Sequence, residues 1–187
     1  MSRCPTIETP RLVLRPFCES DTDAYLAVLR TPEVRASLHL AADIGHYDAW
    51  IGMAQQLGQW ALRGTGQWAL EEKATGAFVG RAGTHWPARP DWPGIEVGWA
   101  LHPDHWGKGY ATEAGAAAVD FGFAHHDVDA LYSVILHENT ASQAVARRLG
   151  FAPGEERVLS HFPDMPHVFW TLHRADFSRR ERQRVET

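Results

Sequence analysis

The period of the polar and apolar positions changes several times along the chain, and each change marks an element. In "RLVLRPF" (Arg11 to Phe17), Leu12 and Leu14 fall on one face, which predicts a first strand. "SDTDAYLAVL" places Ser20 three residues before Asp23, a capping-box pattern that opens a helix. A second helix is predicted between Asp43 and Leu62. Its Tyr47, Trp50, Ile51, Ala54 and Leu57 share a helical stripe that reads as the core-facing side. Beyond "RGTG" the period shortens, and "QWALEE", "KATG" and "AFVGRAGTHW" predict strand, turn and strand. The Pro-rich loop "PARPDWPG" leads into a strand "IEVGWAL" (Ile95 to Leu101). An alanine-rich helix over about 110–124 follows, then a strand "LYSVIL" (Leu131 to Leu136). "NTASQAVARRLG" predicts a helix closed by Gly150, and two strands are expected near 155–161 and 167–173. A helix between "IEVGWAL" and "LYSVIL" makes that pair a natural parallel crossover. The class is α/β or α+β with a mixed sheet.

Composition narrows the function more than the fold. The 187 residues are most simply one domain, here 1–178, followed by a basic tail at 179–187. Its "RRERQR" reads as a solvated, frayed terminus. With 44% hydrophobic and 22% charged residues the chain can bury one sizeable core. A net charge of -5 argues against nucleic-acid binding and mildly favours an amine substrate. Cys4 and Cys18 lack metal-ligand spacing and suggest free thiols in a reducing compartment. No stretch resembles a signal peptide or approaches the ~18 to 20 apolar residues of a membrane span, so the expected address is cytoplasmic, with no membrane partner.

The candidate chemistry begins at "HPDHWGKGYATEA" (His102 to Ala114), between a strand and a helix. A Walker-type loop would need glycine at His102 and Ser or Thr at Gly109. A dinucleotide fingerprint starting at Gly107 would need its third glycine at Thr112. What remains is a short turn whose N–H groups, from Gly107 to Thr112, lead into a helix N-terminus suited to a diphosphate. The same glycines could simply turn a corner. Downstream, "ENTASQAVARRLGF" (Glu138 to Phe151) sets Asn139 and Ser142 near the first turn of the next helix, where Asn139 also reads as an N-cap. His102-Pro-Asp-His105 reproduces no zinc pattern, so no metal is expected.

Taken together and in this order, "TPRLVLRPF", "GWALHPDHWGKGYATEA" and "HENTASQAVARRLGF" resemble the GNAT superfamily of acetyl-CoA-dependent N-acetyltransferases. The nearest branch is that of the ribosomal-protein N-terminal acetyltransferases (RimJ/RimL-like), and the likeness covers nearly the whole chain. It implies a mixed sheet of about seven strands, splayed at the cofactor cleft, with helices on both faces. Trp106, Gly107, Lys108, Gly109, Tyr110, Ala111 and Thr112 would form the pyrophosphate loop, with Trp106 where the superfamily usually has Gln or Arg. Leu101 would offer backbone hydrogen bonds to the pantetheine arm, and Asn139 would bind the cofactor nearby.

Many superfamily members carry a Tyr seven residues after this Asn, able to protonate the leaving thiolate; here the position is Ala146. Ser142 is the remaining hydroxyl, and a thiol of pKa about 8.5 leaves without a strong acid. Glu96 is the candidate general base, directly or through a water, with an ion-pair role as the alternative. Backbone N–H groups near Leu101 would stabilise the oxyanion. Neither cysteine lies near these motifs, so transfer should be direct. The acceptor would be a protein N-terminal α-amine or a small-molecule amine. It would be held by residues of about 32–47 and 161–167, with Trp86, Trp92 and "HFPDMPH" lining the groove. The resemblance also allows a homodimer. A non-catalytic acyl-CoA-binding module on the same fold and a histidine-based phosphate-binding metalloprotein are the competing readings.

Overall fold

The computed structural model describes residues 4–160 and 162–185. A short edge strand β1 (Ile7–Glu8) precedes β2 (Leu12–Arg15), and three helices follow, α1 (Thr22–Arg30), α2 (Pro32–Ser37) and α3 (His46–Arg63). Then come β3 (Gln67–Glu72), β4 (Phe78–His85), β5 (Glu96–Leu101), α4 (Tyr110–His125), β6 (Ala130–Leu136), α5 (Thr140–Leu149), β7 (Ala152–Leu159), β8 (Phe162–His173) and α6 (Arg174–Val185). The eight strands form one sheet in the order β1-β2-β3-β4-β5-β6-β8-β7. That is one strand more than the pattern predicted, because a two-residue edge strand carries no readable alternation.

The sheet is covered on both faces. On one, Trp68, Leu70, Val97, Leu101 and Leu131 pack with α4 and α5 through Ala114, Ala118, Val119 and Ala146. On the other, Ala69 meets Phe17, Tyr25, Leu26, Leu29, Ala49 and Met53 from α1, α3 and the segments around them. Gly115 lets α4 and α5 approach closely, since a Cβ there would lie 2.7 Å from a Leu149 methyl.

Three local expectations are corrected. The cap before α1 is Asp21, not the pair Ser20 and Asp23. Its carboxylate accepts the Cys18 N–H at 2.9 Å and both Nη groups of Arg15 at 2.8 Å. Burial pushes the Asp21 carboxyl up, but these bonds outweigh it and hold it below its ordinary range. In α3 the buried stripe is Ala49, Met53, Gln56 and Trp60, while Tyr47, Trp50 and Leu57 are exposed. Both stripes have helical spacing. The winner places Gln56 where its Oε1 accepts the Gln67 N–H and Trp60 where it packs on Trp68. The short helix α2 has Pro32 in its first turn and was not anticipated. The start of α6 is docked on the domain, while Arg179, Arg180 and Arg182 of the basic stretch are exposed. Arg174 donates to the carbonyls of Val128, Phe123 and His126, and Phe177 stacks on Phe123 at 4.9 Å. The basic stretch from 179 continues the same helix, α6. The last two residues of that tail lie outside the described ones.

Candidate active site

β5 and β6 are parallel neighbours that pair at one position only, Glu96 against Tyr132. There Tyr132 N–H donates to the Ile95 carbonyl at 3.0 Å, and on the other side of β5 the His102 N–H reaches the Val79 carbonyl on β4. Alternation along the strand then turns the main-chain groups of Val97, Trp99 and Leu101 toward β6. The strands part beyond the pair, and the next β6 amide, Val134 N–H, donates to Glu96 Oε1 at 3.4 Å. Glu96 thus stands at the apex of a wedge that opens toward the carboxyl ends of both strands. α4 and α5 begin at that same end.

Gly109, at φ +82°, is the N-cap of α4 and brings no side chain to its first turn. The early N–H groups of that turn have no intrahelical acceptor and are left for a ligand. Gly107, at φ +72°, faces open space. The loop is held from behind. Glu113 accepts the Thr9 hydroxyl at 2.6 Å, the Arg11 N–H at 2.8 Å and Arg11 Nε at 2.6 Å, while Arg11 Nη1 donates to the Lys108 carbonyl at 2.7 Å. Burial alone would raise the Glu113 carboxyl, but these hydrogen bonds lower it. Arg11 also covers the ring of Tyr110, whose hydroxyl donates to Glu72. Tyr110 is therefore a buried anchor, and only its main chain faces the loop. Such a cradle has the backbone donors that a diphosphate needs, from Gly107 onward, because the Trp106 N–H is already given to the Pro103 carbonyl at 2.9 Å.

The surroundings of two groups are fixed here. The Trp106 indole donates to the Leu101 carbonyl at 2.8 Å and takes one of its two lone pairs, while the Leu101 N–H is open toward β6. Ala146, in the position where Tyr was considered, has no exposure and belongs to the core. Asn139 caps α5 through Oδ1, which accepts the Ser142 N–H at 3.0 Å, leaving its amide NH2 as a donor. Ser142 is half-buried, and its hydroxyl makes no hydrogen bond among the described residues.

On the opposite side of the sheet lies the ground assigned to the acceptor. His85 Nδ1 approaches Glu96 Oε2 at 3.4 Å, and Trp92 stands edge-on to His85 at 6.0 Å. Trp86 is not part of this group; it lies under Arg63. The stretch 161–167 is mostly strand β8 rather than a loop, and His161 lies outside the described residues. Phe162 lies tilted against His39 with ring centroids 4.0 Å apart, and His39 Nε2 is 3.0 Å from His167 Nε2. His167 Nδ1 lies 2.9 Å from the Met165 carbonyl, which accepts only. Nδ1 of His167 must then carry the hydrogen, so His39 donates across the pair. Burial lowers the pKa of both imidazoles, which favours the neutral forms. Asp91, in the Pro-rich loop, accepts the Ser160 N–H at 2.8 Å and ties that loop to the β7–β8 turn. His39 and His167 lie in the two stretches expected to hold the acceptor, whereas His85 escaped the sequence reading because only strand register shows which face it shares. The alternation in "RAGTH" was the available signal.

The wedge, the bare helix end and the motif order have a match among known proteins. The family model for the acetyltransferase (GNAT) domain matches residues 11–152, and the chain belongs to that family. The protein is an N-acetyltransferase of the acetyl-CoA-dependent kind. The uncharacterized N-acetyltransferase YoaA of Bacillus subtilis (strain 168) is 28% identical over 159 residues, covering 84% of this chain and 88% of that one. The crystal structure of an acetyltransferase from Agrobacterium tumefaciens str. C58 superposes with a TM-score of 0.78 at 29% identity, over 91% of this chain and 95% of that one. RimL, a ribosomal L7/L12 α-N-protein acetyltransferase solved with coenzyme A, shares the fold at a TM-score of 0.71 and 16% identity, over 92% and 99% of the two chains.

Proposed function

We propose that this enzyme moves the acetyl group of acetyl-CoA directly onto a primary amine, of a protein N-terminus or a small molecule, with Glu96 receiving the amine proton. The observation that carries the reading is the position of Glu96 at the last paired residue of the diverging strands, its carboxylate already reaching across the wedge to Val134. Acetyl-CoA supplies an acyl group on a thiol whose pKa of about 8.5 makes it a fair leaving group. The backbone donors of Gly107 to Thr112 would hold its pyrophosphate, and the Asn139 amide would meet the arm. The main-chain N–H groups of Trp99 and Leu101 face the wedge and are suited to a developing oxyanion. Ser142 is the hydroxyl available to the departing thiolate.

The fold likeness to RimL and the opening "TPRLVLRPF" support placement in the RimJ/RimL-like branch. Two free cysteines support a cytoplasmic address. Burial pushes the Cys4 thiol up to about 12, which leaves it inert. Among the described residues no helix is long and apolar enough to cross a membrane. Thiol release from acetyl-CoA in the presence of a primary-amine panel tests the reading. Amine-dependent release is expected, and calorimetry that detects no binding of CoA or acetyl-CoA would end it.

A further inference from the structure

Arg81 stands on β4 opposite Ala69 of β3 and Ala100 of β5, on the sheet face that α1 to α3 cover. It lines a cavity of about 510 Å³ together with Tyr25, Leu40, Ile44, Ile51 and Gln56. Its Nε is buried without a hydrogen-bond partner, and among the described residues no carboxylate pairs with it. Of the other half-buried arginines described, Arg35 has one long hydrogen bond, to the Ala42 carbonyl at 3.4 Å, and two are saturated. Arg15 has Asp21 and Glu71, and Arg174 has three carbonyls. A guanidinium cannot shed its charge, so leaving it half-buried and unpaired is costly unless a ligand brings the counter-charge. Its planar fork matches the two oxygens of a carboxylate.

A second orphan lies between Arg81 and the wedge. Gln67 is buried, and its Oε1 has no partner. Gln67 pairs with Gly83, two residues from Arg81, and Gly83 in turn faces Gly98. A Cβ on Gly98 would lie 2.9 Å from the Gln67 amide nitrogen and 3.7 Å from Glu96 Oε1. One face of the sheet therefore runs from a free cation, past an unsatisfied amide over a glycine floor, to the candidate base. Glu96 is four residues from the partner of Arg81, or roughly 13 Å of strand.

We propose that the Arg81 cavity is the carboxylate subsite of the acetyl acceptor. The acceptor is then a small amine whose carboxylate, several bonds from the nitrogen, pairs with Arg81 while the nitrogen reaches toward Glu96. Exposed Asp43 and Asp48 at the cavity mouth favour a ligand that also carries an ammonium over a bare dianion. This inference rests on the acetyl-transfer reading for its orientation.

The test uses ω-aminoalkanoates of four to eight carbons and the aminoalkanes of equal length. Binding to the CoA complex is measured by calorimetry, and turnover is measured with acetyl-CoA. Wild type should bind the carboxylates at least tenfold more tightly than the aminoalkanes. Arg81→Met should level the two series by weakening the carboxylates alone, and Arg81→Lys should keep part of the preference. Equal affinity of wild type for both series overturns the subsite, as does a preference that survives Arg81→Met. Arg81-dependent binding with no acetyl-CoA consumption would leave the subsite standing and strike the transfer chemistry instead.

Discussion

The two sides of the sheet around Glu96 are finished to different degrees. On the cofactor side, Arg11, Glu113, Trp106 and Tyr110 each have a partner within the chain, and what they leave free is main chain. On the acceptor side, Arg81 Nε, Gln67 Oε1 and His39 Nδ1 are buried without partners. Buried polar groups are nearly always paired. The cofactor side also leaves His105 Nδ1 and Trp170 Nε1 without partners, but those are neutral-ring nitrogens, whereas the acceptor side leaves a permanent cation unpaired. A universal ligand can be held by backbone geometry, whereas a particular one must be matched by side chains.

The largest expected effect lies where the two sides meet. Glu96→Gln keeps the shape and removes the base, and should cost on the order of 10²–10⁴ in kcat at neutral pH. Raising the pH should recover part of the rate, because an α-amine of pKa near ~8 then arrives neutral. Steady-state rates with acetyl-CoA saturating measure both effects. A wild-type rate at every pH would remove Glu96 from the mechanism and detach the acceptor side from the chemistry.

Gly109→Val should weaken CoA binding about 100-fold by calorimetry, since the residue sits at φ +82° and a branched side chain is strained there. Arg11 Nη2, 3.4 Å from the position of the added Cβ, would also be displaced. Unchanged affinity in a folded variant would show that the main chain does not approach the ligand at Gly109.

A smaller effect should separate the finished side by its response to acid. The Glu113 carboxyl is held below its ordinary range in the folded protein. Its contribution is then complete above the unfolded pKa near ~4.3 and is lost as the pH falls through the folded value. Glu113→Gln should cost about 2 kcal/mol at neutral pH and flatten the acid limb of the stability curve. Denaturant unfolding across pH reads both. A Gln variant with an unaltered acid limb would show that the Arg11–Glu113 brace does not hold the loop.

Much of the cofactor side was legible because its signals are local. A glycine turn, a helix start and an Asn-x-x-Ser spacing lie within short stretches, and β5, α4, β6 and α5 follow the hydrophobic period. The partner of the Leu101 carbonyl was not legible, because it comes from a side chain five residues on. The acceptor side is written in register, which no local pattern contains. Arg81, His85, Gln67 and Glu96 share a face only after β3, β4 and β5 are aligned. In α3 the aromatic stripe pointed to the wrong face, because a helix with two apolar stripes is decided by what the sheet offers opposite Gln56 and Trp60.

The most direct measurement is a titration of the isotope-labelled protein with CoA, followed by backbone amide NMR. Shifts should concentrate at Gly107 to Thr112, at Val97 to Leu101 and at the Val134 amide beside Glu96, with the Arg81 cavity unmoved until an amine is added. Shifts centred instead on the trough of Thr9, Phe121 and His125 beside α4, or on the Arg81 cavity itself, would contradict the assignment of the wedge to the cofactor.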